Sequence, residues 1–139
     1  MRILVTVCLL FAAPLALAQA QGATTADGGT DAGLDVKKLP FTPDSIKQVI
    51  AYHQPKIQAC YEEMLATQKK PQEGRLMTTF VITPEGLVKN AKVAKKGTTL
   101  RNRKLHDCVV AVLSGMEFPK PPDGRTQPVE YPFNLKAIK

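Results

Sequence analysis

Few residues of this chain have types and spacing that could do chemistry. Cys60, Cys108, His53 and His106 supply thiol and imidazole groups. Ser114, His106 and Asp107 are the residue types of a nucleophilic triad, and Glu62-Glu63 is a pair of neighbouring carboxylates. A zinc site would need all four thiol and imidazole groups to converge, and the chain contains no Cys-x-x-Cys and no His-x-x-x-His spacing. A serine nucleophile needs a strained elbow, which is absent around Ser114, and His106 and Asp107, adjacent on one helix, point in different directions. Glu62-Glu63 reads as a solvated helix face, and no glycine-rich phosphate loop occurs. These patterns predict a protein with no catalytic residues, no metal site and no cofactor.

The N-terminus sets the compartment in which the thiols must be read. Arg2 supplies a positive start, Ile3 to Leu17 is apolar, and Ala16-Leu17-Ala18 and Ala18-Gln19-Ala20 both fit a small-x-small cleavage site. Residues 1–20 are therefore expected to be a signal peptide. The run is shorter than the roughly 20 apolar residues of a membrane span, so no transmembrane segment is expected after cleavage. Cys8 leaves with it, since Leu-Val-Thr-Val before it lacks the small residues of a lipid-attachment site. Gln21 to Asp35 is Ala, Gly, Thr and Asp with Leu34 as the one large apolar residue, and residues 21–40 are expected to be a flexible linker. Residues 41–139 then form one domain of about 100 residues, the commonest domain size. Cys60 and Cys108 are the two thiols left in an exported protein, each on the apolar stripe of a helix, and a disulfide between them is expected. The rival reading is two buried free thiols.

The elements follow from periodicity. Ile46, Val49, Ile50, His53, Ile57, Cys60, Tyr61, Met64 and Leu65 recur at helical steps behind the cap candidates Thr42-Pro43-Asp44. Pro55 inside this pattern predicts a kink or break near Ala51 to Gln54. Leu76, Thr78, Phe80 and Ile82 alternate as a strand, Thr83-Pro84-Glu85-Gly86 is a turn, and the return strand runs from Leu87 to about Ala94. Its apolar phase slips between Val88 and Ala91, which predicts a bulge near Lys89 or Asn90. Leu105, Cys108, Val109, Val112, Leu113 and Met116 are a second helix face, with Gly97-Thr98-Thr99 as turn and cap, and Val129, Tyr131, Phe133 and Leu135 form a last strand. The expected fold class is α+β, in the order α-β-β-α-β, with a three-stranded antiparallel sheet and two helices on one face.

Residues at the corners of this map form an ordered set: Cys60-Tyr61-Glu62, Gly74 before Phe80-x-Ile82, Gly86-x-Val88, Cys108-Val109, Phe118-Pro119-x-Pro121 and Tyr131-Pro132-Phe133. With that order of elements, the set resembles the TonB C-terminal fold and, more closely, the AgmX/PglI C-terminal domain family of gliding bacteria. The resemblance runs from about Ile46 to Leu135. It implies a protein-binding module of the cell envelope, in the periplasm or on the inner side of the outer membrane. The machinery implied is that of gliding motility or TonB-type transport. The family's energy transducers keep a membrane helix and a long Pro-rich spacer; here about 15 flexible residues with a reach of about 20–23 Å follow the signal.

Two surfaces compete as the binding site. In the resembling fold the last strand lies at the sheet edge, so Glu130, Tyr131, Pro132, Phe133, Asn134 and Leu135 are the expected edge for a partner strand. Pro132 has no N–H, which puts its side of the strand outward. The second surface is cationic. The chain holds 19 Lys and Arg against 12 Asp and Glu, and from Val36 onward 18 against 9. Lys89, Lys92, Lys95, Lys96, Arg101, Arg103 and Lys104 are expected to form a basic patch, whose alternative use is an anionic polymer such as nucleic acid, lipopolysaccharide or cell wall. No aromatic residues are interleaved with it for base stacking, and export removes the chain from the cytoplasm, so nucleic acid is not the expected partner.

Overall fold

A computed structural model describes residues 33–138; the expected signal peptide and the first part of the expected linker lie outside them. The elements are α1 (Pro43–Ala66), β1 (Gly74–Ile82), β2 (Val88–Ala94), α2 (Arg103–Ser114) and β3 (Gln127–Leu135), with short 3-10 turns at Val36–Lys38 and Pro122–Gly124. The fold is α+β in the order α-β-β-α-β, and its antiparallel sheet has the strand order β2-β1-β3. Part of the segment expected to be linker is structured: Leu34, Val36 and Leu39 pack against the core.

Helix α1 starts where Thr42 caps it, its hydroxyl oxygen accepting from Ser45 N–H at 3.1 Å, with Pro43 in the first turn. Of the kink or break expected near Ala51 to Gln54, the break does not occur: the helix continues through Pro55 to Ala66. Pro55 deprives the Ala51 carbonyl of its donor, and both residues lie on the exposed face, where water can replace the bond. Val49, Ile50, Ile57, Cys60 and Tyr61, on either side of the proline, are buried and anchor both halves in the core.

Strand β1 is the centre of the sheet. Leu76, Thr78, Phe80 and Ile82 are buried beneath the helices, while Arg75, Met77, Thr79 and Val81 face the other way. Each large side chain taken fully out of water here contributes about 1.5–3 kcal/mol. The Thr78 hydroxyl, fully buried, donates to the Tyr131 carbonyl at 2.8 Å and so adds a bond from β1 to β3. The expected bulge is present: the β1–β2 register shifts between Thr79 and Val81, opposite Lys92 and Lys89, and Asn90 has φ 55.

Helix α2 begins later than its expected cap. Asn102, not Thr98 or Thr99, caps it by accepting from Leu105 N–H at 3.1 Å. Thr98 and Thr99 serve the sheet instead, their hydroxyls accepting from the N–H groups of Met77 and Arg75 at 3.0 and 2.8 Å where β2 has ended. Helix α2 packs on α1 and β2. At the far end Gly86, with φ 86, lies against the Phe118 backbone, and Phe118 N–H donates to the Gly86 carbonyl at 2.8 Å. This ties the hairpin to the loop before β3, where Phe80 and Phe118 stack at 5.5 Å.

Candidate functional site

The outer edge of β3 follows from the bonding of its neighbour. Arg75 N–H donates to Thr99 Oγ1, the Arg75 carbonyl accepts from Thr99 N–H at 2.8 Å, and Met77 N–H goes to Thr98. The odd-numbered residues of β1 therefore turn their backbones toward β2, and the even ones toward β3. Leu76, Thr78 and Phe80 pair with Phe133, Tyr131 and Val129. Those odd-numbered β3 residues face β1, and Pro128, Glu130, Pro132 and Asn134 turn their backbones to the open edge. Both prolines of the strand thus fall where no N–H is needed by the sheet. The open edge offers the N–H groups of Glu130 and Asn134 and the carbonyls of Glu130, Pro132 and Asn134, while the Pro128 carbonyl accepts from Gln127 Nε2 at 3.0 Å. No strand lies beyond it among the described residues.

Of the six residues expected at the partner edge, the structure splits the roles. Glu130, Pro132 and Asn134 present backbone to the outside, whereas Tyr131, Phe133 and Leu135 bond inward and turn their side chains to the core. Tyr131 stays half-buried, with its ring centroid 4.9 Å from that of Phe133. At the strand's end Gln58 Nε2 donates to the Lys136 carbonyl at 3.1 Å, which joins β3 to α1. On the face away from the helices a cavity of about 570 Å³ runs over Thr79, Val81, Asn90, Lys92, Pro128 and Glu130, beside the same edge. Thr79 Oγ1 is buried there without a hydrogen-bond partner among the described residues.

The opposite edge differs. Strand β2 carries the bulge at Asn90 and the exposed lysines Lys89 and Lys92, with Lys95 and Lys96 just after it. Bulges and lysines are the usual means by which an edge is made unfit for pairing.

The seven cations expected as one patch do not all line one cavity. Lys95, Arg101 and Arg103 line a single cavity with His106. Lys92 lies on the open sheet face, Lys104 beside the cysteines, and Lys89 near Glu85 at the hairpin. Sequence adjacency could not foresee this, because the turn after β2 and the first turn of α2 send neighbouring side chains in different directions.

Cys60 and Cys108 form a disulfide, with Cα atoms 5.8 Å apart, and it clamps α1 to α2. The sulfurs are bound to each other, so they do not join His53 and His106 in a metal site. The triad types do not assemble either. Ser114 Oγ donates to Val110 O at 2.8 Å, His106 Nε2 lies 2.7 Å from Leu100 O, and Asp107 faces Arg103. Tyr61, fully buried, donates its hydroxyl to Gln72 O at 2.8 Å, and burial, helped by the charge of Glu73, raises its pKa above the ordinary value.

No family model matches the chain, and no curated protein matches it. Among solved structures it is similar to the solution structure of the C-terminal domain of Helicobacter pylori TonB (residues 179–285), at 20% identity and a TM-score of 0.38, over 73% of this chain and 98% of that one. Likeness at this level transfers none of that domain's role to this chain.

Proposed function

We propose that the domain is a non-enzymatic protein-binding module that takes an extended segment of a partner as a fourth strand beside β3. The observation that carries this reading is the outer edge of β3, where Glu130 and Asn134 hold unpaired donors and three unpaired carbonyls face out, while the β2 edge is bulged and lined with lysine. Pro128 and Pro132 remove two donors from the ladder, so unselective pairing is weak and a partner must gain from side-chain contacts. Those contacts are to Tyr131 and Val129 on one face and to Glu130 on the other. The finer reading rests on the sequence: the export signal and the TonB and AgmX/PglI motifs support a periplasmic site, or one on the inner side of the outer membrane. There the protein serves as an accessory component of a trans-envelope machine.

The test has two steps. A photo-crosslinker at Asn134 of the full chain, used in intact cells, identifies the partner segment, and that segment is then titrated into the protein while amide shifts are followed. The largest shifts are expected over Glu130 to Lys136. Shifts concentrated on Lys89 to Lys104 would refute strand addition.

A further inference from the structure

The turn between β2 and α2 builds a second site, unrelated to the β3 edge. We propose that the cavity there binds a phosphate ester. Its volume is about 460 Å³; Val93, Ala94 and Thr98 line it together with three cations, Lys95, Arg101 and Arg103, with His106, and with one carboxylate, Asp107. The turn that carries the cations is held at both ends. Thr98 donates its hydroxyl to Ala94 O and accepts from Met77 N–H, Thr99 N–H donates to Arg75 O, Leu100 is buried, and Asn102 caps the helix. Arg101 therefore projects from a fixed backbone, which lowers the cost of ordering its side chain on a ligand.

The charges are available. Lys95 and Arg101 make no salt bridge among the described residues, and Arg103 meets only Asp107, at 3.8 Å with both side chains exposed, a pairing that water largely screens. The Leu100 carbonyl can only accept, so His106 Nε2 carries the proton of that 2.7 Å bond. In the neutral ring Nδ1 is then an acceptor, so the donors of the site are those of Lys95, Arg101 and Arg103. A phosphate ester, with one charge as a diester and nearly two as a monoester near neutral pH, takes donors from several directions, which suits two unpaired cations and a guanidinium fork. The half-buried Val93 and Ala94 give the organic part of the ester an apolar wall. A planar carboxylate would engage fewer of these donors. The ester can be a phospholipid headgroup or a soluble metabolite, and the chemistry of recognition is shared.

The experiment titrates glycerol 3-phosphate into the full chain at constant ionic strength, following backbone amides, and in parallel measures retention on phosphatidylglycerol and phosphatidylcholine vesicles. Saturable shifts are expected at Val93 to Lys95 and Thr98 to His106. The exposed pair Lys95→Gln with Arg101→Gln is expected to weaken binding more than tenfold. Lys89→Gln with Lys120→Gln, the same charge change near Glu85, is expected to alter it less than twofold. Retention on phosphatidylglycerol alone, lost in the first pair, assigns the site to lipid; binding of glycerol 3-phosphate without retention assigns it to a soluble ester. Equal losses in both pairs, unsaturable shifts spread over the surface, or no binding to either probe overturn the proposal.

Discussion

Glu130→Pro and Tyr131→Pro alter neighbouring residues of one strand, yet they are expected to differ by several kcal/mol. The Tyr131 backbone faces Thr78, a fully buried residue. Proline at 131 deletes that ladder bond, worth about 1 kcal/mol, leaves a carbonyl unsatisfied in the core at about 1–3 kcal/mol, and adds the clash of its ring. The two bonding contributions come to about 2–4 kcal/mol before the clash is added, a large part of the 5–15 kcal/mol that holds a typical domain together. Tyr131→Ala, measured beside it, subtracts the share of the side chain. The Glu130 N–H faces solvent, so proline there is expected to change stability by less than about 1 kcal/mol, as Pro132 is already tolerated two residues on. Urea unfolding followed by circular dichroism measures all three. Joining Glu130→Pro to Asn134→Pro removes both outward donors, each worth about 0.5–1.5 kcal/mol in a pairing, and is expected to weaken the partner segment roughly 5- to 150-fold. If Glu130→Pro unfolds the domain as readily as Tyr131→Pro, the backbone of residue 130 faces β1 and the assignment of the open edge is wrong.

Three other outcomes follow from the packing. Replacing Cys60 and Cys108 by alanine opens a loop spanning 48 residues and is expected to cost about 4 kcal/mol by chain entropy, seen in calorimetry as a fall in Tm of roughly 15–30 °C. Gly86→Ala sets a Cβ against the Phe118 carbonyl at a φ of 86 and is expected to cost about 2–4 kcal/mol in urea unfolding, with the Phe118 amide losing its exchange protection. Tyr61 has a raised pKa, so its stabilising contribution is whole below the ordinary value of 10.0 and is lost as pH rises through the folded value. Tyr61→Phe, about 1 kcal/mol less stable at neutral pH, is therefore expected to lose less than the parent on going from about pH 9 to pH 11, measured as the shift in urea midpoint.

Much of this architecture is local and was legible. Helix α1, the β1–β2 hairpin with its bulge at Asn90, and β3 each carry a hydrophobic period, and periodicity records which face must be buried. The pairing of Cys60 with Cys108 was legible because two core-facing stripes each held one thiol. Even the outward turn of Pro132 could be read from a single residue, since proline has no donor for a paired side. What the sequence could not decide depended on groups distant along the chain. Pro55 looked like a helix breaker because local propensity counts the lost bond, but it does not count the core contacts of Ile50 and Ile57 that hold the helix on either side. Thr98 and Thr99 looked like helix caps, and it is the end of β2 that makes their hydroxyls complete β1. The run of cations from Lys89 to Lys104 was legible as charge alone. Only the tertiary structure separates the lysines that guard an edge from the three cations that share one cavity, because direction in space is set by the turn and the packing of α2 on β2, and the order of residues does not encode it.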